Sequence, residues 1–308
     1  MIALRSVHYR AGKHFAVESL DMTVPTGSIY GFIGPNGAGK TTTMRLILGL
    51  LAPKAGTIEV LGHRMPREAR LALAKVGVVP ERPHVYPTFT VDEAMRFHSA
   101  FHTGWDAARA TKLRAQFELL PHQLVGSLSK GQTGKLMMLL ALSQSPELLI
   151  LDEPTDGLDP VVRQEVLEAL TEFVATKKAT VLVSSHLVHE QERICDWVGV
   201  MDHGRLIAEL PMTVFRNGIK RLRVGAGVSD AAAQAAPFLA VSRRALENGA
   251  EEWLVRNWEP SMHSWFVSVG VPLQEVIDLD LEQAFVSLLR AARANSANAA
   301  DAAAKEAA

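Results

Sequence analysis

The sequence predicts an α/β fold built around a parallel sheet, from three observations: short continuous apolar runs, helical patterns between them, and a glycine-rich loop joining one run to the next helix. The runs are Ser28–Ile33, Val76–Val79, Leu148–Leu151, Thr180–Val183 and Val198–Met201. Continuous instead of alternating, they suit strands covered on both faces. Between them, Lys130 to Ser143 and Val161 to Val174 carry helical spacing. Strand then helix, repeated, implies a sheet of parallel strands.

Taken in order, the first sixty residues differ. Strand-like pieces at Ala3–Tyr9, Asp21–Val24 and Thr57–Leu61 surround the glycine-rich loop and predict a small antiparallel sheet. From about Phe89 to Pro121 the apolar positions take helical spacing, with Ala94, Phe97, His98 and Phe101 on one face; an inserted helical subdomain over about 89–145 is expected. The main domain closes at about 212. Beyond it come short alternating pieces, Arg221–Val224, Trp253–Arg256 and Trp265–Val269, then a helix with Leu281, Phe285, Leu288 and Leu289 on one stripe. These predict a small α+β extension over 213–290. From Ala291 the chain is mostly Ala with scattered charge and no stripe, and 291–308 is expected to be frayed or disordered.

A chain of 308 residues with 48% apolar and 21% charged residues has the balance of an ordinary globular protein. Net charge is −1, without a long run of Lys and Arg, so bulk attraction to nucleic acid is unsupported. The single cysteine, Cys195, has no intrachain partner for a disulfide or a zinc ligand set. That fits a reducing compartment. Met1-Ile2-Ala3-Leu4-Arg5 lacks the charged-then-apolar pattern of a secretory signal, and no apolar stretch reaches the ~18 residues of a spanning helix. A membrane role would have to come through a partner.

Gly34-Pro35-Asn36-Gly37-Ala38-Gly39-Lys40-Thr41 fits G-x-x-x-x-G-K-[ST], with a strand before it and the helical Thr42–Leu50 after it. The glycines let successive N–H groups turn inward, the helix start adds a positive dipole end, and Lys40 supplies a full charge. Thr41 offers a hydroxyl for Mg²⁺. By itself the motif specifies only nucleoside triphosphate binding.

Two acids, Asp152 and Glu153, end the run Leu148–Leu151. Carboxylates at a buried strand end need a cation or donor. Alternate sides of the pleat let Asp152 hold a metal while Glu153 polarises a water. Alone, the pair would read better as solvated loop acids; with the Lys40 loop, it does not. A second helix start, Leu128-Ser129-Lys130-Gly131-Gln132, places the natural N-cap Ser129 where it could grip an anion. His98 and His102 share a helical face but have no third ligand nearby, so a partly exposed face is the simpler reading.

These motifs together resemble the nucleotide-binding domain of ABC transporters over roughly the first 210 residues. The family's usual signature, LSGGQ, reads here as Leu128-Ser129-Lys130-Gly131-Gln132, with Lys130 as the departure. Asp152-Glu153-Pro154-Thr155, Gly157-Leu158-Asp159-Pro160 and Ser184-Ser185-His186 follow in the family's order. The resemblance implies a P-loop ABC-type ATPase that uses ATP and Mg²⁺, with the loop 34–42 including Thr42, and Ser129, Gly131 and Gln132, on nucleotide. It implies that Asp159 couples two sites of a dimer, that His186 meets the γ-phosphate, and that Lys40 and Glu153 carry catalysis. Glu81 stands where the family usually has Gln, and could ligate Mg²⁺ through a water with Thr41 and Asp152. Ala11 stands where an adenine-stacking aromatic is usual; Tyr9, on the same pleat face, is the substitute. Further implications are a homodimer or a heterodimer with a related subunit, a separate transmembrane permease subunit reached through the Tyr86-Pro87-Thr88-Phe89 region, and a peripheral place on the cytoplasmic face of the membrane. Export is favoured, and a soluble ABC-type ATPase uncoupled from transport is the alternative.

Overall fold

The computed structural model describes residues 1–12, 15–247 and 249–306. The chain divides into two compact units: Met1–Leu187 with Met201–Leu206, and Val188–Val200 with the chain from Ile207 onward. The sequence closes the first domain at 212; the second unit instead starts at Ile207 and takes in Val188–Val200 as well.

In the first unit, β1 (Ile2–Ala11) and β2 (Phe15–Val24) precede β3 (Ile29–Ile33), the glycine-rich loop and α1 (Lys40–Ile47). β4 (Ala55–Val60), β5 (His63–Met65), α2 (Ala69–Leu73) and β6 (Val76–Val79) follow. Next come α3 (Val91–Ser99), α4 (Ala107–Gln116) and α5 (Lys130–Ser143), all inside the 89–145 segment. β7 (Leu148–Asp152), α6 (Pro160–Lys177) and β8 (Thr180–Ser185) complete the run. An antiparallel sheet has the order β2-β1-β4-β5; β3, β8, β7 and β6 lie side by side in that order as parallel strands.

Burial explains the parallel strands. Every residue of β3, β7 and β8 is buried, as continuous apolar runs require. α5 is buried on nearly all sides from Lys135 to Ser143, so its apolar residues form no single stripe. Its start is fixed by a capping box: Ser129 Oγ accepts from the Gln132 N–H while the Gln132 side chain accepts from the Ser129 N–H. The helical face named from sequence is only partly covered. Ala94 is buried, but Phe101 is 70% exposed and Phe97 lies at the surface.

In the second unit α7 (Val188–Ile194) precedes β9 (Trp197–Asp202) and β10 (Arg205–Pro211), and the boundary between the units passes through these two strands. Then come α8 (Met212–Asn217), β11 (Lys220–Val224), α9 (Asp230–Gln234), β12 (Leu239–Ala245), β13 (Glu251–Arg256), α10 (His263–Ser268), β14 (Leu273–Asp278) and α11 (Leu281–Glu306). Four strands form an antiparallel sheet in the order β12-β13-β11-β14. Its core gathers Trp253, Trp258, Phe238 and Phe266 around Leu222, Val224 and Val255.

Two expectations fail here for physical reasons. Trp265–Val269 is not an alternating strand piece but mostly helix, because one short turn delivers Phe266 to the core while Val267 faces solvent. The stretch from Ala291, expected to be frayed or disordered, continues α11 to Glu306. Alanine has the highest helix propensity of any residue, which favours continuation of the helix through this stretch. Residues 307 and 308 lie outside the described residues.

Candidate functional site

The glycine-rich loop leaves β3 and turns into α1 at Gly39, whose φ of 113° is open to glycine and not to residues with a side chain. Lys40 is thereby the first residue of the helix, and its side chain is buried. Its Nζ donates to the Gly34 carbonyl at 2.7 Å and lies 3.3 Å from Glu153 Oε1.

Glu153 follows β7 with φ of 50°, in the left-handed region that a non-glycine residue occupies only when its surroundings hold it there. Contacts to its backbone and to both carboxylate oxygens do so. The Glu153 N–H donates to Ser184 Oγ at 3.0 Å, Lys40 meets Oε1, and His186 Nδ1 lies 2.8 Å from Oε2. Since an ionised carboxylate only accepts, Nδ1 is the donor of that last pair. Ser184 Oγ also donates to Asp152 Oδ1 at 2.6 Å. One buried hydroxyl from β8 therefore ties both acids at the end of β7. The sequence motif contains Ser184, but its bridging role depends on the register Asp152↔Ser184, which only the sheet reveals.

Asn36 to Thr42, Glu81, Glu153, Asp156 and His186 line one cleft of about 490 Å³. Gly34 and Pro35 hold the Lys40 ammonium with their carbonyls. The lining does not include Ser129, Gly131, Gln132 or Asp159. Asp159 caps α6, accepting from the N–H groups of Val161 and Val162, with Pro160 in the first turn. Tyr9 lines a different concavity of about 760 Å³ with His8, Arg10, Glu18, Lys54 and Arg205, which shares no lining residue with the cleft. Tyr9, Arg10 and Ala11 pair in unbroken register with Val17, Ala16 and Phe15, so Tyr9 and Ala11 share a pleat face, yet Tyr9 lines this concavity and not the cleft. Asp156 is a cleft residue that motif reading passed over. Nothing in its type marks it, because the signal is its position three residues after Glu153.

Among the described residues no cluster of three His, Cys, Asp or Glu stands ready for a metal ion. His98 and His102 are both partly buried; burial, with the neighbouring His102 for His98, holds their imidazoles below the usual histidine range. Tyr86, Phe89, Phe97 and Phe101 form a chain of ring contacts with centroids 4.9 to 5.7 Å apart, and Tyr86 is 56% exposed.

A lysine-bearing loop at a helix start after β3, facing two acids at the end of β7, one strand over beyond β8 in the same parallel array, defines a P-loop nucleoside triphosphatase. Comparison with known proteins narrows this. The ABC transporter family profile matches residues 17–156. Nod factor export ATP-binding protein I of Burkholderia lata is 43% identical over 213 residues, 68% of this chain and 70% of that protein. The same-named protein of Cupriavidus metallidurans is 39% identical over 68% of this chain and 70% of its own length. A solved ATP-binding subunit of an ABC transporter superposes with a TM-score of 0.63 at 30% identity, covering 70% of this chain and 92% of its own. A dimeric ATP-binding cassette bound to ADP and Pi superposes at 0.62 over 69% of this chain and 99% of its own; at 20% identity it shares the fold. The chain belongs to the ABC transporter family, as an ATP-binding and ATP-hydrolysing subunit. Among the described residues no helix is long and apolar enough to cross a membrane.

Proposed function

We propose that this subunit powers export: it binds Mg²⁺-ATP, pairs head to tail with a second copy or a related ATPase subunit, and drives a separate transmembrane permease subunit from the cytoplasmic face of the membrane. The observation that carries this reading is that Lys40, Glu153 and His186 share one cleft whose lining does not include the Ser129 turn. Each chain then brings one phosphate-binding surface to each of two sites, and ATP closes the pair. The Burkholderia lata relative, an export ATP-binding protein by name, supports the direction of transport.

In this reading phosphate oxygens compete with Glu153 for the Lys40 ammonium, because both partners sit within one small cleft. Released from Lys40, Glu153 accepts the proton of the attacking water, and His186 holds Oε2 so that the acid faces the γ-phosphate. Thr41, Glu81 and Asp152 line an adjoining concavity of about 470 Å³, and Thr41 and Glu81 line the cleft too. Such hard oxygen donors fit Mg²⁺, which when bound supplies charge neutralisation for the phosphates. The exposed rings of Tyr86, Phe97 and Phe101 form an apolar surface suited to a short helix of the permease. A role on nucleic acid has no basic surface run to support it.

Glu153→Gln tests the reading. It removes the proton acceptor and the competitor for Lys40 at once. ATP binding is expected to be kept or tightened, turnover lost, and an ATP-dependent dimer to accumulate in size-exclusion chromatography. Persistent turnover would remove Glu153 from its role. ATP fully enclosed by one chain, without a dimer, would overturn the paired-site mechanism.

A further inference from the structure

The signature turn departs from the family pattern at Lys130, and the structure places that side chain beside the ATP cleft. Lys130 Nζ lies 3.1 Å from Asp156 Oδ2. Asp156 itself lines the cleft that Lys40, Glu153 and His186 share. The side chain of Lys130 passes over Gly157, whose φ is 64°; a side chain at that position would strike the Lys130 ammonium. The path from α5 to Asp156 is thus kept clear by a glycine.

Charge explains what such a pair does. The cleft is lined by three acids, Glu81, Glu153 and Asp156, against a single lysine, Lys40. A triphosphate is a polyanion, so every uncompensated carboxylate there opposes its binding. Glu153 is answered by Lys40. Asp156 is answered by Lys130, which comes from the start of α5 and not from the cleft lining. Both side chains of this second pair are more than half exposed, and pairs of that kind add little to fold stability. The consequence falls on the cleft's potential instead.

We propose that Lys130 is an affinity-setting residue of the ATP cleft: by pairing with Asp156 it shields nucleotide phosphate from that carboxylate. The proposal rests on the reading of the cleft as the seat of ATP phosphates. Lys130 acts through Asp156, and is a positioning residue.

The test is a double-mutant cycle on the full chain, reading equilibrium ATP binding and the KM of ATP hydrolysis. Lys130→Ala bares Asp156 and is expected to raise both Kd and KM about three- to tenfold, with kcat changed less than twofold. Asp156→Asn is expected to lower Kd severalfold. The double variant Lys130→Ala with Asp156→Asn should return to within a few-fold of the parent, because no bare acid remains, and Lys130→Arg should behave as the parent. The differences should shrink as ionic strength rises, and melting temperatures should hardly move. If the double variant binds ATP as weakly as Lys130→Ala alone, shielding is wrong. Lys40→Ala separates the two levels. Unchanged ATP binding there would overturn the reading of the cleft, whereas weakened binding beside an additive cycle would overturn the shielding alone.

Discussion

The nucleotide unit covers a parallel sheet with Val, Ile and Leu, whereas the second unit packs four aromatic rings, Phe238, Trp253, Trp258 and Phe266, onto an antiparallel one. Polar chemistry differs as well. In the first unit a buried lysine meets Glu153 in the cleft, a buried serine hydroxyl ties Asp152 to the Glu153 N–H, and Glu153 is held in the left-handed region of backbone space. In the second, Arg243 spends its guanidinium on structure: it stacks over Trp253 at 4.7 Å and bonds Glu251, Asp230 and the Val228 carbonyl. Lys40 and Glu153 face a cleft that a ligand can enter, whereas Arg243 is committed to bracing its own unit.

The largest expected effect sharpens that contrast. Glu153→Gln should lower kcat by about 10²- to 10⁴-fold, the usual range for a lost general base, with ATP binding retained. Steady-state ATPase kinetics read the first and equilibrium titration the second. A tenfold loss or less would mean that the acid at the end of β7 is not the proton acceptor.

Next comes a change aimed at the other unit. Trp253 is fully buried and its Nε1–H donates to Glu251 Oε2 at 2.7 Å. Trp253→Ala should cost about 3 to 5 kcal/mol, from the cavity and from the severed contacts. Chemical denaturation of the full chain measures this, and ATP affinity below the transition should stay within about twofold. A matching loss of ATP affinity would break the division of labour. Smaller again, Lys40→Ala should weaken ATP binding by about 1.5 to 3 kcal/mol, the range for a charged hydrogen bond.

How much was legible in the sequence divides along the same line. Strands buried on both faces announce themselves as unbroken apolar runs, so β6 matched to the residue and β7 and β8 to within two. The Lys40 loop and the acids were legible because phosphate chemistry constrains both residue type and spacing. Asp156 and the Ser184 bridge were not, since each depends on which strand lies beside which. In the second unit the signals were local and weak. β12 and β14 went unread because their exposed edges carry few buried residues. Trp265–Val269 alternates like a strand yet forms a helical turn, since five residues cannot separate the two periods. The alanine-rich end of α11 shows the converse, a helix that propensity favours where no apolar stripe marks it.

The smallest effect on stability should come from the aromatic chain on the surface, and this makes it the sharpest probe of a partner. Phe101 is 70% exposed and touches Phe97 at 5.0 Å between centroids. Aromatic pairs contribute about 0.5 to 1.5 kcal/mol beyond burial, and an exposed ring has little burial to lose. Phe101→Ser should therefore shift stability by no more than about 1 kcal/mol and leave basal ATPase intact. If the rings receive a permease helix, the same change should sharply reduce recovery of the subunit with membranes that contain the permease. Undiminished membrane recovery, with ATPase and stability unchanged, would show that these rings are ordinary surface and that the permease docks elsewhere.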